Sequence, residues 1–344
     1  MSEKYYLNSD IEEIKKNLKI YKLNFSGKNF LISGANGFLG KYFVKTIIEV
    51  NKKLKKKAKI IAIDIKFDNS EIFKDRNVIK IKRDINNLEN VGHKCHYVLH
   101  AAGIPSPKHY YNKPIDAIFT SITGTKKLLE YSKKNKSKFI FFSSSEIYGN
   151  PDKKNIPTKE TYNGNVSCIE DRSCYDEGKR VGETLCYFYH IKQKVNVSIF
   201  RPFNVFGPGM PKNDYRVFPR FFSSIKKKQP ITIFRSGKQT RTFCYVTDAI
   251  TAMFLVILKG RKFVYNIGNS TPELTMLELY KIIRKNVDVN VERKNIDYPK
   301  NYPQVEPQRR RPNIDKIKKE LKFKNRVTIS SAVKRFYKWS KSYY

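Results

Sequence analysis

The chain has 344 residues, of which 40% are hydrophobic, and its 69 lysines and arginines outweigh 31 aspartates and glutamates to give a formal net charge of +38. That length supports a two-lobed unit with a generous core. The lysines run throughout the sequence without a helix-turn-helix, RNA-recognition or finger signature. They therefore read as a solvated surface that steers anionic small molecules, and nucleic-acid binding is excluded as the main function.

In chain order, residues 1–25 form an added segment, with Asp10 as the N-cap of a helix over 11–20. Residues 28–33 predict a short buried strand that runs into Gly34-Ala35-Asn36-Gly37-Phe38-Leu39-Gly40 and then an amphipathic helix from Tyr42 to Val50. Glycines at this spacing allow a tight turn and close backbone approach to a pyrophosphate, and the helix N-terminus offers N–H groups to the anion. A second strand, Lys59 to Asp64, ends in a carboxylate about 20 residues past the glycines. A carboxylate there suits ribose hydroxyls and repels a 2′-phosphate, which favours NAD over NADP. Further buried strands are predicted at Tyr97–His100 before Ala101-Ala102-Gly103, at Phe139–Phe142 before Ser143-Ser144-Ser145-Glu146, and at Val195–Phe200 before Arg201-Pro202-Phe203-Asn204. Apolar runs of this length between helical segments imply a parallel sheet buried on both faces, with ligands at the carboxyl ends of its strands.

Tyr175 and Lys179 lie four apart on a predicted helix and so share one face. A phenol beside a held ammonium is a base suited to taking a proton from an alcohol. Residues 249–258 are too short an apolar run to span a bilayer and read as a core helix, with no stable membrane insertion. Cys95, Cys168, Cys174, Cys186 and Cys244 lack metal-type pairing, and no secretory signal is evident, so a reducing, cytoplasmic setting is expected. His93-Lys94-Cys95-His96 has no second ligand group, and no metal is expected there.

With these residues in place, the chain resembles the extended short-chain dehydrogenase/reductase family acting on nucleotide sugars, from about residue 28 to the C-terminus. Within that family it is most similar to the UDP-glucuronate decarboxylases. The likeness is carried by Ser106-Pro107-Lys108-His109-Tyr110, Ser144 to Gly149, Glu160 to Val166, Arg172 to Arg180, Phe203 to Pro208, Gln239 to Phe243 and Gln308 to Pro312. The resemblance implies an α/β fold with a Rossmann-type doubly wound parallel sheet and a smaller C-terminal substrate-binding α/β lobe. The NAD-binding domain is expected at 26–204, regaining 243–267, with Asp248 capping the helix there. The nucleotide-sugar lobe is expected at 205–242 and 268–344. By resemblance, Tyr175 is the base, Lys179 its partner and ribose anchor, Ser144 a hydrogen-bonding helper, and Glu146 and Arg310 the residues that handle a carboxylate. Gly34, Asn36, Gly37, Phe38, Leu39, Gly40, Asp64, Asp84, Ala101, Ala102, Gly103 and Pro202 would line NAD together with Tyr175 and Lys179. Ser106, Ser145, Asn204, Arg216, Arg241 and Arg310 would line the substrate. A homodimer joined through the Tyr175 helix is also implied.

The pair after the helper residue is Ser145-Glu146, whereas 4,6-dehydratases carry Asp-Glu and 4-epimerases usually carry no carboxylate. Decarboxylation is therefore the expected reaction, with a 4-epimerase, a 4,6-dehydratase or a 4-ketoreductase as the alternatives. An anion-binding protein without turnover is a third reading. Asn163, Gly209, Ser121, Pro202 and Asn313 depart from the commonest family residues, and these departures bear on the sugar more than on the fold.

Overall fold

A computed structural model describes residues 6–299 and 306–344. The first five residues of the added segment and residues 300–305 of the expected C-terminal lobe lie outside the described residues. Seven parallel strands form the central sheet: β1 (Phe30–Ser33), β2 (Ile60–Asp64), β3 (Val78–Lys82), β4 (Tyr97–His100), β5 (Lys138–Phe142), β6 (Val197–Pro202) and β7 (Val264–Ile267). Their order across the sheet is β7-β6-β5-β4-β1-β2-β3. The order reverses direction beside β1, and that is where a doubly wound sheet opens a ligand crevice. β3 is the half-exposed edge strand, which the apolar-run criterion missed because Lys80 and Lys82 interrupt it.

The strands are apolar on both faces because helices cover both. One face packs against Phe38–Asn51 and Val246–Lys259, whose residues Val246 to Ile257 are all buried. The other packs against Thr125–Asn135 and Ser173–Ile191 through Leu128, Leu129 and Cys186. The Phe38–Asn51 helix starts four residues earlier than predicted, because the glycine turn delivers the chain straight into its first helical residue.

Two capping expectations are corrected. The first helix spans Asn8–Ile20 with Leu7 at its N-cap. Asp10 sits inside its first turn, fully buried, and accepts a 2.7 Å hydrogen bond from the Tyr245 hydroxyl while pairing with Arg335 at 3.2 Å. Burial pushes its carboxyl up to about 6, ahead of the lowering effect of those partners. Asp248 likewise lies within the first turn of its helix, whose N-cap is Tyr245. Its carboxylate instead accepts the backbone N–H groups of Arg326 and Val327 at 3.0 and 3.1 Å. In both cases a partner far away in sequence takes the carboxylate, and no local pattern announces it.

Outside the sheet, three short strands bring distant arginines together. Thr240–Arg241 pairs antiparallel with Leu274–Thr275 and parallel with Arg309–Arg310, in a register that sets Arg310 beside Arg241. Among the described residues, no helix is long and apolar enough to cross a membrane.

Candidate active site

Each ligand-side segment leaves the carboxyl end of a strand, so parallel pairing alone gathers them along one edge of the sheet. Gly34 follows β1 with φ +70°, and a Cβ there would lie 2.6 Å from the Ala102 nitrogen. A Cβ on Gly40 would lie 2.2 Å from the Gly34 oxygen. Both positions require glycine, because the turn folds on itself and against Ala101-Ala102 with no room for a side chain. Gly37 is the N-cap, and the Phe38 and Leu39 N–H groups open the helix, where first-turn donors have no helical partner.

Asp64 ends β2 and accepts the Asn36 N–H at 2.9 Å, and burial raises its pKa. The Asn36 side-chain oxygen is buried without a partner. Lys179 lies over Gly103, and Pro202 closes β6. Asp84 is exposed and accepts the Asn86 N–H at 2.8 Å, one strand beyond Asp64. Close-packed glycines, free helix donors, a strand-end carboxylate and a buried ammonium make a set that fits an adenine dinucleotide with an unphosphorylated ribose.

Tyr175 is only 6% exposed, stacks on Tyr110 at 5.5 Å between ring centres and hydrogen-bonds with Ser144. Ser144 also accepts the Glu146 N–H at 3.2 Å, which fixes the turn after β5, while Ser145 is buried behind it. Burial raises the Tyr175 phenol; the Ser144 hydrogen bond opposes this, as do the positive charges of Arg216 and Arg172. Lys179 shares the buried helix face with Tyr175. Its Nζ sits 5.9 Å from the Tyr175 ring centre and donates to the Phe142 carbonyl at 2.8 Å. Burial drops Lys179 to about 8.

Beyond Tyr175 lies a cleft lined by Tyr110, Glu146, Arg172, Asn204, Arg216, Arg241 and Arg310, among others. The Glu146 carboxylate is clamped between two guanidinium groups. Arg310 reaches it at 2.5 and 2.6 Å, and Arg172 pairs with the Oε2 atom that Arg310 also holds. Arg172 also holds Asp176 at 2.9 Å, one helical turn along. Arg310 is 11% exposed, and its Nε is buried without a partner; burial and the neighbouring Arg172 lower it to about 10.

Arg216 and Arg241, expected to line the substrate, both line the cleft, and each holds an acid: Asp214 at 2.5 Å and Glu306 at 3.5 Å. Asp214 in turn accepts from Ser106 at 3.2 Å, so Ser106 reaches the cleft through an acid. Asn204 has φ +42° and donates to the Thr242 carbonyl at 2.8 Å, tying the β6 exit to the Arg241 strand. Sequence reasoning gave no role to Arg172, Asp176, Tyr110, Asp214 or Glu306. The i,i+4 spacing of Arg172 and Asp176 was available as a signal, but the link to Glu146 crosses the fold.

A doubly wound parallel sheet, a glycine-turn dinucleotide cradle and a Tyr-Lys pair beside an arginine-rich cleft define a Rossmann-type extended short-chain dehydrogenase/reductase. The profile of the NAD dependent epimerase/dehydratase family matches residues 30–268, and the chain belongs to that family. UDP-glucuronic acid decarboxylase 1 of Arabidopsis thaliana is 33% identical over 310 residues, covering 89% of this chain and 68% of that protein. UDP-N-acetylglucosamine 4-epimerase from Methanobrevibacter ruminantium, solved with UDP-N-acetylmuramic acid, superposes with a TM-score of 0.80 at 25% identity over 92% of this chain and 99% of that one. UDP-glucuronic acid 4-epimerase from Bacillus cereus, solved with UDP-glucuronic acid and NAD, shares the fold at a TM-score of 0.76 and 24% identity, over 92% of this chain and 100% of that one.

Proposed function

We propose that the chain decarboxylates UDP-glucuronate to UDP-xylose through a 4-keto sugar. The observation that carries this reading is Glu146 held between Arg172 and Arg310 on the cleft wall beside Tyr175 and Ser144. The relatives named UDP-glucuronic acid decarboxylase point the same way. When bound, NAD accepts hydride from sugar C4 and returns it, so the reaction is redox-neutral overall.

Tyr175, aided by Ser144, takes the C4 hydroxyl proton as the hydride leaves. With a ketone at C4 and a carboxylate on C5, the sugar is a β-keto acid. Its C5–carboxylate bond breaks, carbon dioxide departs, and the electron pair moves onto the C4 oxygen as an enolate. The Arg310 guanidinium, whose buried Nε has no partner, is the donor suited to the carboxylate and the enolate, and Glu146 orients it. A proton then reaches C5, and Tyr175 returns its proton to the C4 oxygen on reduction. Arg216, Arg241 and Asn204 serve the nucleotide diphosphate and the ring, with Asp214 and Glu306 releasing the two arginines to the ligand.

The lobes divide at 204–205, with 243–267 returning to the NAD-binding lobe. The apolar exposed residues Ile115, Phe119, Val181, Tyr187 and Phe188 favour the homodimer that the resemblance implies. Sedimentation at the mass of one chain would contradict that dimer.

The test of function is turnover of UDP-glucuronate followed by mass spectrometry. A UDP-pentose product supports the reading, and an isomer of unchanged mass assigns a 4-epimerase.

Lys179 adds a pH test. Its ammonium is charged well below pH 8, about half charged near that value, and lost as pH rises through it. Because NAD ribose binds the charged form, NAD affinity of the apoprotein should be level well below pH 8 and weaken progressively as pH rises through it. Lys179→Met should bind NAD more weakly at pH 7 and show no such step. Calorimetric titration across this range reads both, and a step that persists in the variant would remove Lys179 from the ribose.

A further inference from the structure

All seven strands of the sheet are parallel, so their amino ends share one edge, opposite the cofactor and sugar cleft. The segments that approach this edge are strongly basic. Before β2 the chain reads Lys52-Lys53-Leu54-Lys55-Lys56-Lys57-Ala58-Lys59, before β5 Lys133-Lys134-Asn135-Lys136-Ser137-Lys138, and before β7 Lys259-Gly260-Arg261-Lys262. No aspartate or glutamate occurs in 21–29, 52–59, 93–96, 133–138, 192–196 or 259–263, and the acids near this edge are Asp75 before β3, Glu89 before β4 and Glu320, which accepts from the Tyr265 hydroxyl at 3.0 Å. Nearly all of these lysines are exposed, and Lys52 is paired to Glu49.

The carboxyl edge is built differently. There Asp64 and Asp68 flank Lys66, Asp84 follows Arg83, and Asp214 precedes Arg216. In these segments, cations at the carboxyl edge have acids beside them in sequence, whereas most at the amino edge do not.

The approaches form one continuous face. The Gly27 N–H donates to Lys56 O at 2.9 Å, the Asn29 amide to Lys94 O at 3.1 Å, and the Lys138 N–H to His96 O at 2.9 Å. Lys259 Nζ donates to Tyr21 O, and the Lys324 N–H to the Tyr21 hydroxyl, which extends the face to the 322–324 lysines. Seven strands at their usual spacing span about 29 Å. Besides burial, Lys28, Lys94 and Lys56 hold the His96 pKa down, as a positive field on this edge requires.

We infer that this amino-end edge is a docking face for an anionic lipid bilayer, held by charge alone. Lysine carries the face, with Arg76 and Arg261 the arginines in these approaches. Hydrated ammonium groups on flexible stems suit diffuse headgroup phosphate, whereas nucleic-acid readout relies on the planar guanidinium fork. Docked this way, the chain turns its substrate cleft away from the lipid, so turnover continues on the surface.

The experiment is co-sedimentation of the full chain with phosphatidylserine-rich vesicles and with pure phosphatidylcholine vesicles. Binding is expected to the first alone, and to fall steeply with added salt. The variant Lys53→Glu/Lys55→Glu/Lys134→Glu/Lys192→Glu should bind at least about tenfold more weakly. Lys227→Glu/Lys281→Glu/Lys285→Glu/Lys338→Glu, with the same change in net charge elsewhere on the surface, should stay within about threefold of the parent. Turnover should be unchanged in both, which checks their folding. Equal loss in both variants would reduce the effect to bulk charge and overturn the face. So would equal binding to phosphatidylcholine, or tighter binding of a random RNA that the edge variant abolishes.

Discussion

Tyr175→Phe should lower turnover of UDP-glucuronate by about a thousandfold, the range lost with a positioned acid–base group. The change removes one hydroxyl from a ring that remains stacked on Tyr110 at 5.5 Å. NAD affinity and thermal stability should therefore stay near the parent values. In the proposed mechanism the same phenol takes the first proton and returns the last, so the variant should also fail to form the reduced nicotinamide on mixing with substrate. Rapid-mixing absorbance and steady-state product assays read the two effects. Turnover within tenfold of the parent would remove Tyr175 from the base role, whatever the sugar.

Arg310→Ala is the second large effect, and it separates decarboxylation from oxidation. Arg310 and Arg172 share Glu146, so the variant leaves that carboxylate paired with Arg172 and the cleft wall folded. In the proposed mechanism the lost donor serves charge that develops after C4 is a ketone. Carbon dioxide release should fall about a hundredfold to a thousandfold, as for loss of a preorganised anion donor. Initial C4 oxidation, read from the absorbance of reduced nicotinamide in a single turnover, should change by less than about tenfold. Arg310→Lys should recover only part of the loss, because an ammonium lacks the fork that grips Glu146 while Nε stays without a protein partner. Equal losses in oxidation and decarboxylation would assign Arg310 to nucleotide binding instead.

The cofactor half was legible because its signals are local. Gly34 to Gly40, Asp64 and Ala101 to Gly103 each follow an apolar strand within a few residues, and parallel pairing gathers them without long-range information. Tyr175 and Lys179 were legible as an i,i+4 pair, but the Phe142 carbonyl that Lys179 also holds was not, because it lies on a strand 37 residues away. The cleft was hardest to read. Glu146 and Arg310 stand 164 residues apart, and only a three-strand register brings Arg310 to the wall. Asp10 misled for the same reason: its partners are Tyr245 and Arg335, so a residue that looks like a cap is a buried acid. Edge strand β3 escaped notice because one exposed face breaks the apolar run used to find its neighbours.

The most direct single measurement is turnover of UDP-glucuronate deuterated at C4 by the purified holoenzyme, with products weighed by mass spectrometry. Hydride removed from C4 and returned to C4 predicts a UDP-pentose that has lost carbon dioxide and kept its deuterium. A product of unchanged mass, or a substrate that persists beside fully loaded enzyme, would contradict decarboxylation while leaving the fold and its cofactor cradle as described.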